Sequence, residues 1–223
     1  MSSIRSFKSA TRKDIAFKLS ALDRSTIKHF SKLTTNSVIS LPVFQNANSV
    51  ALYMHLPDNE LQTDLLINEC FKLNKNVYLP RIESLSKFND TKNFNQQKSC
   101  IHFLSVDSIN TVNSLKPRGK YQIREPDYTE NHSNDLLLNN KKLDLILLPG
   151  VAFTPNGKRL GHGAGYYDDF IKRYRAIHNS QPTLVGIALP QQIIQDHIHF
   201  QIEAHDEMLD YVVAGNDIYS CCK

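Results

Sequence analysis

No stretch of the chain approaches the roughly 20 consecutive apolar residues that a membrane-spanning helix needs. No secretory apolar core follows the N-terminus either. Neither a membrane partner nor export is therefore expected. The cysteines, Cys70, Cys100, Cys221 and Cys222, show no zinc-ligand or redox spacing. They read as reduced thiols in a reducing compartment. The terminal Cys-Cys-Lys lacks the C-a-a-X form of a prenylation signal. Excess charge is small: 26 Lys and Arg against 22 Asp and Glu leave a formal +4. That helps a small anion approach. It is too weak and too scattered for a nucleic-acid partner, and none is expected. Glycine is scarce as well. The 223-residue chain holds eight, and four of them fall in GKRLGHGAGYYDDF, residues 157–170.

A chain of this length buries a full core without staples, so a single domain over 1–223 is expected. The opening MSSIRSFKSATRKDIAFKL is Ser-rich and basic, with one acid, Asp14. An ordinary first helix is the preferred reading and a mitochondrial transit peptide the other. The expected address is cytoplasmic, with a mitochondrial one left open. Ile15, Leu19 and Leu22 share one helix face. Ser25 is expected to cap a second helix carrying Ile27, Phe30 and Leu33. SVALYMHL is apolar on both faces, as in a covered strand. Thr63 stands where a helix cap would, before Leu65, Leu66 and Leu73. NVYLPRI reads as a short strand stopped by Pro80. Residues 84–100 show no apolar period and read as an inserted surface loop. IHFLSV is a further strand, and KPRGKYQIREPDYTENHSND a long polar connection.

LDLILLP leaves no polar face over Leu145 to Leu148 and should be the central strand. A helix from Tyr166 to His178 is expected after the glycine-rich stretch. TLVGIAL and DYVVAG supply two more strands. Strands without a wet face, alternating with helices, argue for an α/β fold: a mainly parallel sheet flanked by helices on both faces.

In such sheets ligands bind beyond the carboxyl ends of the strands, where the glycine-rich loop would lie. Alternating Gly161, Gly163 and Gly165 let the backbone approach a ligand with no Cβ in the way. Successive N–H groups and a following helix N-terminus suit an anion, with phosphate the natural one. No Walker pattern is present, and GHGAGY misses the dinucleotide fingerprint by one position. Arg159 can set a planar guanidinium on phosphate or carboxylate. Tyr166 and Tyr167 suit ring stacking or the core. Asp168, at a helix start, suits either Mg²⁺ beside phosphates or the helix dipole.

LPGVAFTPNGKRLGHGAGYYDDFI resembles the signature of the 5-formyltetrahydrofolate cyclo-ligases, also called methenyltetrahydrofolate synthetases. The match includes Pro149, Gly150, Phe153, Gly157, Arg159, Leu160, Gly161, Gly163, Gly165, Tyr166, Tyr167 and Asp168, with His162 and Ala164 at variable positions. The resemblance implies a NagB/ribose-isomerase/CoA-transferase-like fold. It also implies ATP- and Mg²⁺-dependent conversion of 5-formyltetrahydrofolate to 5,10-methenyltetrahydrofolate. ATP would be held by Lys8, Arg12 and Arg159, with Leu160, Gly161, His162, Gly163, Ala164, Gly165, Tyr166 and Tyr167. Folate would meet Met54 and Glu60, together with His162, Gly163, Ala164, Gly165 and Tyr166. Mg²⁺ would sit on Asp168 and Asp206. Arg159 and His162 are the expected catalytic groups, and the small molecules the expected partners of a monomer.

Physics alone weighs several of these residues more plainly. Lys8 and Arg12, at i and i+4, form what is usually a solvated face. Glu60 in its Pro/Asn turn would otherwise be a solvated carboxylate. As a ligand group it would accept the pterin's paired N–H donors. Asp206 stands among Glu203, Glu207 and Asp210, any of which reads as a surface charge. His197, His199 and His205 lie close by, but their spacing fits no zinc pattern. Two other functions remain to be told apart: another ATP-dependent small-molecule kinase or ligase, and a non-catalytic folate- or RNA-binding module.

Overall fold

The computed structural model describes residues 2–85, 98–119, 121–195, 200, 202–203 and 206–221. The N-terminal helices are α1 (Ser2–Ser20), α2 (Arg24–Ser40) and the single turn α3 (Pro42–Gln45). Asp23, rather than Ser25, caps α2: its carboxylate accepts the Thr26 N–H at 2.7 Å. Asp reaches that donor from outside the first turn, whereas Ser25 is already helical. The chain continues through β1 (Ser49–Ala51), α4 (Asp64–Lys72), β2 (Asn76–Ser84) and β3 (Ser99–Val106). Then come α5 (Ile109–Ser114), β4 (Lys116–Arg118), β5 (Ile123–Glu125) and β6 (Leu145–Leu148). The last elements are β7 (Ala152–Phe153), β8 (Arg159–Leu160), α6 (Tyr166–His178), β9 (Thr183–Ala188), β10 (Tyr211–Ala214) and β11 (Asp217–Ser220).

Seven strands form one sheet in the order β11-β10-β9-β6-β1-β2-β3. The run β10-β9-β6-β1-β2 is parallel, and β3 and β11 close its edges antiparallel. The all-apolar β6 is the middle strand, as a strand without a wet face must be. Its side chains alternate: Leu145 and Leu147 enter one core, Ile146 and Leu148 the other. The first core is closed by α1, α2 and α4 through Ile15, Ile27, Val38 and Ile67. The second is closed by α6 through Phe170, Ile171 and Tyr174. Helices thus cover both faces. Among the described residues, no helix is long and apolar enough to cross a membrane.

Several local expectations fail for identifiable reasons. Pro80 does not stop β2. Asn76 N–H bonds to Asn48 O at 2.8 Å, and Leu52 N–H to Tyr78 O at 3.0 Å, so these alternate residues turn their backbone toward β1. Pro80 faces the same side, beyond the last residue of β1, so its missing N–H breaks no ladder bond. β1 itself is shorter than SVALYMHL, because the chain after Ala51 leaves the sheet to build a wall of the site. The polar connection contains a hairpin, β4–β5. After DYVVAG, Gly215 at φ +61 turns the chain back into β11. Thr63 does hold the N-cap position of α4, but its hydroxyl donates to Tyr53 O at 2.8 Å instead of capping. The expected 84–100 loop begins and ends in strand, and its residues 86–97 lie outside the described residues, as do His197, His199, His205 and Cys222.

Candidate functional site

From β1 the chain moves to β2 on one side, and later to β6 on the other. The crevice at such a reversal, beyond the strands' carboxyl ends, is the natural ligand position in an open α/β sheet. Two segments wall it. One follows β1 and runs through Tyr53, Met54 and Leu56 to Glu60. The other follows β6, makes the β7–β8 hairpin, and passes through residues 161–165 into α6.

The loop 161–165 separates two cavities. Gly161, Gly163 and Gly165 line a cleft of about 940 Å³, together with Leu160 and Arg159. His162, Ala164 and Tyr166 line a pocket of about 190 Å³ on the other side. Odd positions face one space and even positions the other. Gly163 has φ +108, which L side chains rarely adopt. Tyr166 begins α6, and its hydroxyl lies 2.7 Å from Ser99 Oγ on β3.

The larger cleft is polar and mixed in charge. Arg12, on the inner face of α1, donates from Nε to Gly161 O at 2.9 Å and so pins the loop. Lys8, one turn earlier, donates to Glu203 Oε2 at 2.7 Å and Asp206 Oδ2 at 2.8 Å. Burial alone would lower the Lys8 pKa, but hydrogen bonds to those two carboxylates outweigh it and leave it raised. Arg159 is buried. It donates to Asp168 Oδ2 at 2.8 Å and to Pro149 O at 3.2 Å, and its guanidinium lies 5.7 Å from the Tyr167 ring centre. Arg159 Nε is buried with no hydrogen-bond partner among the described residues. Asp168 also accepts the Glu207 N–H, at 3.1 Å on Oδ1. Asp206 further accepts the Glu203 N–H at 2.8 Å. Each carboxylate expected to hold a metal is therefore paired with a cation expected to hold phosphate.

The smaller pocket is apolar, with a few polar groups. Met54, Tyr53 and Tyr167 line it beside Ile82 and Ile101. Glu60 is half-buried as a residue, but its carboxylate turns inward and accepts the Leu56 N–H at 2.7 Å. Burial pushes its pKa up to about 7, against that hydrogen bond. Burial also lowers the His162 pKa, and the charges of Arg12 and Arg159 lower it further. At neutral pH the imidazole is therefore uncharged. Burial raises Tyr53 and Tyr167, which stay protonated.

Every site residue expected from the sequence lines one of these two spaces. Lys8, Arg12, Arg159, Leu160, Asp168 and Asp206 share the cleft, and Met54, Glu60 and Tyr167 share the pocket. Three contributions were missed. Glu203 holds Lys8. Arg5 and Ser6 of α1 reach the cleft. Tyr121, Ile123 and Glu125 of the β4–β5 region wall the pocket. The acidic crowding around Asp206 signalled the first; the basic run KPRGKYQIR reads as loop, with at most a role in attracting a polyglutamate tail, and does not mark the last as a wall of the pocket.

Three comparisons bear on this arrangement. A model of the 5-formyltetrahydrofolate cyclo-ligase family matches residues 4–215. The chain is 36% identical over 211 residues to the 5-formyltetrahydrofolate cyclo-ligase of Saccharomyces cerevisiae, covering 94% of this chain and 95% of that one. It is 28% identical over 210 residues to the corresponding protein of Mus musculus, covering 94% of each. The NMR structure of 5,10-methenyltetrahydrofolate synthetase from Aquifex aeolicus superposes with a TM-score of 0.72 at 26% identity, over 97% of this chain and 93% of that one.

Proposed function

The chain belongs to the 5-formyltetrahydrofolate cyclo-ligase family, and from that premise we propose how its two cavities divide the reaction. The activity is that of a 5-formyltetrahydrofolate cyclo-ligase, and the family is ATP-dependent. The nucleotide polyphosphate occupies the larger cleft and the pterin head of 5-formyltetrahydrofolate the smaller pocket. The observation that supports this division is the alternation of residues 161–165 between a polar cleft and an apolar pocket.

The chemistry follows from the substrate. The formyl oxygen on N5 is a poor leaving group. It attacks the terminal phosphorus of ATP, a P–O bond forms, and ADP leaves. N10 then attacks the formyl carbon, loses its proton, and closes the ring. The C–O bond breaks and inorganic phosphate departs. Phosphoryl transfer asks the protein mainly for position and charge neutralisation. Arg159, Arg12 and Lys8 supply the charge, and the loop's N–H groups supply donors free of side chains. Uncharged His162 offers an N–H to the formyl or phosphate oxygen without repelling a cationic neighbour. Ring closure is intramolecular, so holding N10 against the formyl carbon lowers its barrier further.

Asp168 and Asp206 suit Mg²⁺: both are hard oxygen donors, and Mg²⁺ takes one or two carboxylates together with phosphate oxygens. When bound, the ion neutralises phosphate charge. Asp206 and Asp168 are the carboxylates that would hold the ion, and Lys8 and Arg159, now paired with them, are the cations that would face the phosphates. The test is growth of methenyl absorbance from 5-formyltetrahydrofolate. It is expected with Mg²⁺ and ATP together and with neither alone. Purified folded protein that gives none under any condition removes the reading.

Glu60 makes a second expectation. In the folded chain its pKa is raised from 4.5 to about 7. Its contribution to folding is therefore present below the unfolded value and lost as pH rises through about 7. Pterin N–H donors require the carboxylate, so folate binding works in the opposite direction. Below pH 7, KM for the folate should climb by up to about tenfold per pH unit, the limit for one linked proton. Glu60→Gln should raise KM and flatten that slope. A variant with the unaltered slope would assign the proton to another group.

A further inference from the structure

One end of the larger cleft carries the wrong sign of charge for a polyphosphate. Lys8 Nζ lies 2.7 Å from Glu203 Oε2 and 2.8 Å from Asp206 Oδ2, and all three residues line the cleft. One ammonium between two carboxylates leaves this end net negative, which repels an anion. Asp206 has a use there, as a metal donor. Glu203 has none in the reaction described above. Its carboxylate oxygen stands where a phosphate oxygen would, at hydrogen-bond distance from the ammonium.

The two carboxylates are not equivalent. Asp206 Oδ2 accepts the Glu203 N–H at 2.8 Å, and the Asp206 N–H donates to Glu203 O at 3.0 Å, so one tight turn carries both. That turn fixes the Asp206 side chain, which is 17% exposed. The Glu203 side chain is 47% exposed and has solvent to move into. An ion pair with so solvated a carboxylate is worth little, so Lys8 gives it up at low cost. Nor does α1 depend on it. Phe7 packs edge-on against Phe200 with ring centres 5.7 Å apart, and Arg12, one turn beyond Lys8, holds Gly161 O.

We propose that Glu203 is a stand-in for nucleotide phosphate on Lys8. It occupies the ammonium while the cleft is empty, must be displaced before the polyphosphate binds, and so sets how much nucleotide the protein requires. The proposal rests on the nucleotide reading of the cleft given above. Once displaced, Glu203 keeps its charge at the rim and goes on repelling phosphate, within the roughly 10 Å over which charges act at ordinary salt. It touches no reacting atom, so it governs affinity and not the chemical step. A competitor for Lys8 weakens nucleotide binding, whereas a residue that only positions Lys8 strengthens it. The two roles differ in sign.

Glu203→Gln tests this, because the amide keeps the size and an accepting oxygen and loses the charge. KM for ATP should fall about fivefold, the scale of one partly exposed ion pair. Inorganic tripolyphosphate, which has the phosphates without base or sugar, should inhibit the variant more strongly by about the same factor. Calorimetric titration with ADP reads affinity without turnover and should show the same gain. Raising salt from about 0.05 M to about 0.5 M should shrink the difference between the variant and the unaltered protein, because exposed charges are screened. A KM for ATP that stays the same or rises overturns the proposal and leaves Glu203 as a support for Lys8. A gain indifferent to salt overturns it too, since charge is then not the cause. In both of those cases ADP still binds and the cyclo-ligase reading stands. If ADP binds neither protein, the nucleotide reading of the cleft falls and the proposal with it.

Discussion

Arg159→Ala is expected to cut turnover about a thousandfold, the effect of removing a cation aimed at a transferring phosphoryl group. It should also lower stability by about 3 kcal/mol, because Asp168 is left as a buried charge without its counter-ion. The two losses have separate origins and separate remedies. In Arg159→Ala/Asp168→Ala neither charge is buried alone, so part of the stability returns while activity stays absent. The Asp168 hydrogen bond from Glu207 N–H keeps the single-variant loss at the lower end of the buried-pair range. Arg159→Lys retains the charge and loses the planar fork that now spans Asp168 and Pro149 O, so it should recover stability better than turnover. Urea unfolding and the methenyl absorbance assay read the two quantities. Near-normal turnover in Arg159→Ala would take Arg159 out of the reaction. A double variant no more stable than the single one would show that the pair is not what Asp168 depends on.

Gly157→Ala should be the most damaging conservative change to the fold. Gly157 has φ +87, and a Cβ there would stand 2.7 Å from Leu209 O and 3.0 Å from Cys221 Cβ. The backbone cannot retreat: its N–H donates to Thr154 O at 3.0 Å, and its carbonyl accepts Leu209 N–H at 2.9 Å. Left-handed strain and overpacking add to about 3 kcal/mol. In a chain of this length that lowers Tm by about 10 °C. Calorimetry decides it, and a shift below about 2 °C would mean that the turn relaxes where these bonds say it cannot.

The sequence made some features legible because their causes are local. β6 has no polar face anywhere along it, so it had to be central. α6 runs from Tyr166 to His178 as expected, with Asp168 and Asp169 in its first turn and Arg175 and His178 in its last, matching the helix dipole. The cleft residues were legible through spacing and through the family signature. What escaped was set by distant partners. Whether Pro80 ends a strand depends on where β1 stops, which nothing in NVYLPRI reveals. Asp23 and Ser25 are both good caps, and only the geometry of the first turn chooses. The hairpin wall of the pocket depends on a register between two three-residue strands of polar composition, too short to show a period of two. Glu203 is one of four crowded acids until Lys8 is laid against it.

The alternating loop has a consequence for how this protein can change. Because neighbouring residues of 161–165 face different cavities, the nucleotide and acceptor requirements proposed for those cavities would be written on interleaved letters of one short word. The glycines are fixed by the need for bare backbone. Position 164, which lines the smaller pocket, can drift in size and polarity while the phosphate side keeps its shape. Acceptor preference is therefore open to selection, or to a protein engineer, one residue at a time and without first rebuilding the nucleotide site.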